Sequence, residues 1–491
     1  MENMKFACTG ETVGEMWDRT GRDRSTLESD LRNLARRTSG YTAVFSSYFT
    51  EMNRESASPV RSKSVTTDDG VEFDIVEVEP SKTPMEAPDF ERDFVPSAHA
   101  PKPITVILSV WNAMIGSSSL TVAWGFSSSG LIGAITALVV MAVTLWITLR
   151  LTIVHRRTYL KEKPSNDFSE VCEAVMDKPG KWIAWAGSVL VLIGAILAYT
   201  ILIHTSIKSI VNGIALFADA HVADFWNTKV SGVIISACFL PLLLVPRFSF
   251  YVKMSSFGVI GMIYVIVFII VSSITNWAPS EVPRDYGFRP KFFYLAGVLN
   301  LGFFPHNLIL DELKDVPNDK KAIKYATAGF CLGVGSYTLI GLLGSLALGT
   351  GVPQNYIQYY PDNNIYAFTA RIALMFQLLC IVPFIFSLTR THILSIFIGH
   401  ERAENPPFYI HLIYVVLMLT CSTLVAIFFP NIGDIVRFTG ATCGMIYTYG
   451  LPVFVDIIAR RHLKSLPPAR LAADIALFCV GVAVFIGQFC V

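Results

Sequence analysis

Charge is scarce in this sequence. Only 16% of its 491 residues are Asp, Glu, Lys or Arg, 53% are hydrophobic, and the net charge is +1. That balance argues against a nucleic-acid partner and, with a positive mean hydropathy, places the chain among polytopic membrane proteins. No Cys-x-x-Cys pair occurs among the nine cysteines, and Cys238, Cys331, Cys380, Cys421, Cys443 and Cys479 fall in apolar runs, which argues against a disulfide framework or a zinc site. No Asn-x-Ser/Thr sequon occurs, so N-glycans are not expected. No apolar h-region opens the chain, so no cleavable signal peptide is expected and the first spanning helix should direct insertion. No Ser-His-Asp order, His-Glu-x-x-His or phosphate-binding loop supports an enzyme.

What is present is a series of apolar runs. Eleven are long enough to read as spans, roughly 104–124, 130–154, 181–206, 230–246, 254–276, 292–311, 323–350, 367–389, 408–429, 435–458 and 471–490. Few charges lie inside them and most sit near the ends, among them Arg371, Asp456 and Asp474. No carboxylate reaches a midplane position in the first ten, which argues against a buried acidic proton relay. Basic residues follow the even-numbered spans, among them Arg150, Arg156 and Arg157, then Lys320, Lys321 and Lys324, then Arg460 and Arg461. Odd-numbered spans are followed by poorer loops, so the positive-inside rule puts the N-terminus in the cytosol and the C-terminus on the far side.

Two spans are interrupted. Met114–Ile115–Gly116–Ser117–Ser118–Ser119 puts a glycine and three hydroxyl residues at the middle of the first. Glycine weakens a helix and serines compete for its backbone groups. Freed backbone survives in a bilayer only where it is buried or lines a cavity. One reading is an unwound segment that holds a small polar ligand; the other is a small-residue face for close helix packing. The sixth span clusters Asn300, Gly302, Pro305, His306 and Asn307 at its middle, and its proline removes a helical donor. Breaks five spans apart suit a 5+5 inverted repeat, which brings breaks one and six together at mid-depth and leaves the eleventh helix outside. The pairing favours the unwound reading and nominates Asn300 and Gly302 beside Met114 to Ser118. His204 and His306 are the candidate intramembrane titrating groups, although a neutral, hydrogen-bonded histidine is the commoner case.

Residues 1–100 read as a largely disordered tail ahead of a transporter domain at 104–491. Arg22 to Arg37 has a Ser25/Glu28 capping pattern with Leu27, Leu31 and Leu34 on one helical face. The aromatic stretch that follows holds Tyr41, Phe45 and Tyr48, and 68–93 is acidic and proline-interleaved, which reads as disorder. Apolar clusters in such a tail point to a segment that docks on a partner.

The stretch from Trp111 to Leu120 resembles the first-helix motif of amino acid/auxin permease-type transporters, Asn-Ala-x-x-Gly-Ser/Thr-x-x-Leu. Gly297–Asn307, Thr369–Pro383 and Phe429–Gly444 look similar to blocks of the member-nine group of the solute carrier 38 family, over most of 104–491. The resemblance implies an all-α, LeuT-like fold that moves amino acids across the lysosomal or late endosomal membrane by alternating access, with the C-terminus luminal. It also implies nutrient sensing, in which the tail docks on a Ragulator–Rag GTPase complex and signals to the target-of-rapamycin kinase. Carried over by position, the substrate carboxylate meets amides from about Ile115 to Ser118, with Tyr199 and Gln377 closing the cavity or touching the substrate. No cofactor is implied. Sodium is the candidate coupling ion, at Trp111, Asn112, Met114 and Cys380. Cys380 stands where lysosomal relatives carry threonine, and a thiol is a poor ligand for a hard cation. An amino-acid-binding receptor with little flux is the competing function, and a channel or scaffold, which needs no broken helices, the weakest.

Overall fold

The computed structural model describes residues 102–156, 168–220, 226, 228–245, 248–275, 285–314, 316, 318–398, 403 and 406–490, together with two short strands near the N-terminus. Those strands, Lys63–Thr66 (β1) and Glu72–Ile75 (β2), pair antiparallel with Val65 opposite Phe73. β2 falls inside the stretch that composition reads as disorder. Val71, Phe73 and Ile75 alternate there with acidic residues, and that period of two is a strand signal which overall acidity obscures. The tail residues expected to dock on a partner, Leu27, Leu31, Leu34, Tyr41, Phe45 and Tyr48, lie outside the described residues.

From residue 103 onward the chain is helical. The first apolar run forms two helices, Pro103–Met114 (α1) and Ser118–Ser129 (α2), set at 60° to each other. Leu131–His155 (α3) follows at once, through Gly130 at φ +69°, where a side chain would strike the Gly287 carbonyl. Phe168–Phe217 (α4) runs 50 residues with one non-helical position, Asp177, just before Pro179. Thr228–Leu243 (α5) and Phe248–Thr275 (α6) come next. The sixth run is again divided, into Phe292–Gly302 (α7) and the single turn Ile309–Glu312 (α8). Asp319–Leu348 (α9), Ile365–Ile398 (α10) and Phe408–Phe428 (α11) are continuous. Ile432–Cys443 (α12) passes through a π-helical stretch, Gly444–Gly450, into Leu451–His462 (α13), and Pro468–Cys490 (α14) closes the bundle.

Eleven spans were expected. Among the described residues eight helices are long and apolar enough to cross a membrane, nine when α1 and α2 count as one bent span; α5 and α7 are shorter apolar helices. The chain is therefore an all-helical polytopic membrane protein. Apolar residues cover its outside as well as its core: on α3, Ile132, Ile135, Val139 and Val143 are exposed while Ala134, Ala137, Met141 and Leu145 are buried. With both faces apolar, helices associate by close packing of small residues. Along α9 this brings Gly329 onto Val110 and the Ile107 carbonyl, Gly333 onto Met114, and Gly341 onto Phe126, so that both halves of the first broken span lie on one straight helix.

The charges near the span ends are paired. Asp456, fully buried on α13, accepts from His155 Nε2 at 2.7 Å, Arg460 Nε at 2.9 Å and Arg470 Nε at 3.0 Å. Arg156 pairs with Asp319 at 2.6 Å and donates to the Leu313 carbonyl at 3.0 Å, so the end of α3 is tied to the chain just after the second break.

A Cβ at Gly329 would sit 2.7 Å from the Ile107 carbonyl oxygen, whereas one at Gly335 on the same helix would meet nothing within 4 Å. Gly329→Val is expected to destabilise the bundle by about 1–3 kcal/mol through overpacking, with Gly335→Val near neutral, as read from thermal melting of the purified protein in detergent.

Candidate functional site

The site is built from peptide groups that a continuous helix would have consumed. At the first break Ile115 is extended, at φ −82° and ψ 112°, and its amide still reaches back to the Trp111 carbonyl at 3.1 Å. Helix α2 then restarts in a tight turn, with Ser119 N–H donating to the Gly116 carbonyl and Leu120 N–H to the Ser117 carbonyl, both at 3.1 Å. The Ser119 hydroxyl caps the same Gly116 carbonyl at 2.6 Å. What remains is the end of one helix, rich in carbonyls, facing the start of another, whose first-turn amides have no intrahelical partner. The two ends carry opposite partial charge, negative at Met114 and positive at Ser117 and Ser118.

Two tyrosines from other helices converge on this gap. The Tyr337 hydroxyl of α9 donates to the Met114 carbonyl at 2.8 Å. The Tyr199 hydroxyl of α4 lies 3.2 Å from where a Cβ on Gly116 would be, so glycine there leaves room for the phenol. The Trp111 indole donates to Ser336 Oγ at 3.0 Å, one residue before Tyr337.

The second break closes differently. Phe303 N–H still reaches the Leu299 carbonyl at 2.7 Å, after which Pro305 ends the helix and its carbonyl accepts from Ile309 at 2.8 Å to start α8. His306 Nε2 is 3.1 Å from the Thr148 hydroxyl, and Asn307 Oδ1 accepts from Ser188 at 3.1 Å. Asn300 is 1% exposed, and neither amide atom has a hydrogen-bond partner; it presses against Gly444, where α12 opens into its π-helical stretch. Phe304 packs edge-on against Tyr447 of that stretch, with ring centres 5.6 Å apart. Such π-helical insertions recur at functional sites, and here one widens the helix beside the second break.

Tyr337 joins the two breaks. Its hydroxyl holds Met114, while its ring fills the notch at Gly302, where a Cβ would come within 2.8 Å, and meets Phe303 edge-on at 5.4 Å. Ser109 of α1 also donates to the Glu312 carboxylate of α8. Met114, Ile115, Gly116, Ser118, Tyr199 and Gly302, all expected from sequence, therefore meet around Tyr337, which was not. Its signal was legible: a tyrosine in an apolar helix needs a partner for its hydroxyl, four residues beyond a glycine that seats α1. Asn300 is the next polar group along α7. Gln377 and Cys380 sit elsewhere on α10, with their Cβ atoms against Gly261 and Gly258 of α6, so the face they share is occupied by packing. Asn112 is half-buried on α1. His204 is a neutral-type partner in a hydroxyl chain, 2.9 Å from Ser236 Oγ, which is 2.6 Å from Thr423 Oγ1.

Of the residues expected to hold sodium, Cys380 suits a hard cation least. The Trp111 and Met114 carbonyls are engaged by Ile115 N–H and Tyr337, and the Cys380 sulfur is a soft donor on a packed face.

The family model described as transmembrane amino acid transporter protein matches residues 100–491. Neutral amino acid transporter 9 of Rattus norvegicus is 25% identical, over 79% of this chain and 78% of that protein; its Xenopus laevis counterpart is 24% identical, over 79% of each. The sodium-coupled neutral amino acid transporter 9 homolog of Caenorhabditis elegans is 23% identical, over 79% of this chain and 73% of that one. Among solved structures, a crystal structure of the Eremococcus coleocola manganese transporter with a bis-isothiourea compound has 12% identity and a TM-score of 0.40, over 81% of this chain and 97% of that one.

Asn300→Leu separates stability from function. Its amide is buried without a partner, so removing it is expected to leave thermal stability unchanged or raised by about 1 kcal/mol, while amino-acid uptake falls; a loss of stability would make Asn300 structural. The family model spans residues 100–491, so the chain belongs to the transmembrane amino acid transporter family and is not an enzyme.

Proposed function

We propose that the chain is a secondary transporter of neutral amino acids in the lysosomal membrane, working by alternating access. Its eleven apolar runs then count as spans in a LeuT-like 5+5 inverted repeat plus one helix, with the N-terminus cytosolic and the C-terminus luminal. The observation that carries this reading is the gap between Met114 and Ser118, with opposite helix ends facing across it and two phenols converging on it. The amides that start α2 suit an α-carboxylate, and the carbonyls that end α1 suit an α-ammonium. Tyr199, Tyr337, Ser118 and Asn300 are all uncharged, which favours neutral side chains, as the names of the relatives also suggest.

The soft Cys380 thiol, on a face packed against Gly258 of α6, argues against sodium coupling. Reconstituted in proteoliposomes, the protein is expected to take up radiolabelled leucine or glutamine equally with sodium or choline outside, and sodium-dependent uptake would overturn that part of the reading. Gly116→Leu drives a side chain into the Tyr199 hydroxyl and is expected to cut uptake about tenfold or more, equivalent to about 1.4 kcal/mol, with the elution profile of a folded protein retained. Normal flux in that variant would sink the site.

The tail adds a second role. Leu27, Leu31 and Leu34 on one helical face, followed by Tyr41, Phe45 and Tyr48, suit docking on a Ragulator–Rag GTPase complex that signals to the target-of-rapamycin kinase. Pull-down by the full-length protein should recover that complex and lose it when the three leucines become serine, with uptake unchanged. If wild-type protein binds the complex but moves no amino acid, it is a receptor and not a transporter.

A further inference from the structure

Tyr337 does more than join two breaks, and the following rests on the amino-acid site proposed above. A hydroxyl is one donor and two acceptors. This one donates to the Met114 carbonyl at 2.8 Å. It thus offers the carbonyl end of the break what an ammonium would offer. Tyr337 is fully buried, so without a ligand it spares the break an unsatisfied peptide group in an apolar core.

We propose that the Tyr337 hydroxyl is a resident surrogate for the substrate, and that the α-ammonium of the amino acid displaces it from the Met114 carbonyl. Tyr337 is then a positioning and specificity-determining residue: only a ligand with its own cationic donor can take over the carbonyl that the phenol gives up. Displacement also moves the ring, and the ring has no free space. It is wedged at Gly302, 2.8 Å from where a Cβ would be, and against Phe303. Seating a substrate at the first break therefore pushes on the second, with α9 as the lever between them.

Tyr337→Phe tests this directly, because it removes one oxygen and keeps the ring on Gly302 and Phe303. The wild-type protein must strip a buried phenol of its partner before substrate can bind; the variant need not, and its Met114 carbonyl stands unpaired until substrate arrives. In proteoliposomes, KM for radiolabelled leucine is expected to fall by about threefold to tenfold. Isoamylamine, which keeps the ammonium, should gain potency as a competitor by the same factor, and 4-methylvalerate, which lacks it, should gain nothing. An unchanged KM, a raised KM, or an equal gain for 4-methylvalerate would overturn the proposal. Thermal melting gives a second reading that needs no flux: ligand-free Tyr337→Phe should melt below wild type, and saturating leucine should raise its midpoint more than it raises that of wild type. Equal ligand-induced shifts would count against displacement. Should Tyr337→Phe fail to reconstitute, 3-fluorotyrosine at position 337 of the otherwise native protein should shift its fluorine resonance with leucine but not with 4-methylvalerate, and no shift with leucine would overturn the proposal. Failure of wild-type protein to bind or take up any amino acid would refute the underlying site instead, so the two failures are distinguishable.

Discussion

An unpaired peptide group inside a bilayer costs several kcal/mol, and the core of this protein is arranged around that constraint. Interrupting a spanning helix frees carbonyls on one side and amides on the other. Each must find a partner or face a polar ligand. Here the Ser119 hydroxyl and a tight turn take the Gly116 carbonyl, Tyr337 takes the Met114 carbonyl, and the opening amides of α2 are left beside two phenols. The packing around the gap follows from the same need. Glycines on α9 let both halves of the broken span lie within van der Waals reach of one straight helix, so the gap is enclosed by protein rather than lipid.

The second break shows how an interruption is placed in context. Its proline fixes where α7 ends, and Thr148, Ser188 and the π-helical stretch after α12 supply its surroundings. Only Asn300 is buried there with both amide atoms unpartnered, a state that natural cores rarely tolerate without a use. The pairing of Asp456 with His155, Arg460 and Arg470, and of Arg156 with Asp319, lies at the helix ends, well apart from the gap. These strong charges thus sit at the helix ends, and the gap presents peptide dipoles and hydroxyls instead. That division suits a zwitterionic, uncharged side-chain ligand, since a fixed midplane charge would bind one end of it too tightly to release.

Periodicity and composition were enough to find the eight long apolar helices among the described residues, because twenty apolar residues in a row have few alternatives in water or lipid. They were also enough to find both breaks, because glycine, proline and hydroxyl residues at mid-span weaken helices by local chemistry. The Gln377 and Cys380 positions came from resemblance, and their side of α10 packs on Gly261 and Gly258 of α6. A helix that is apolar all round does not reveal which face meets protein, so no pattern along α10 could have said so. Acidity likewise hid the period-two strand signal at Glu72–Ile75.

By itself the sequence determined the class of the molecule, the positions where its helices must break and the residue types exposed there, since those depend on interactions within a few residues along the chain. Tertiary structure alone decided that the two breaks share one tyrosine. Tyr337 lies 223 residues from the carbonyl it holds, and nothing local distinguishes its hydroxyl from any other. Which buried donor meets which freed acceptor depends on the register of helices packed through glycine contacts, and that register exists only once the bundle has formed.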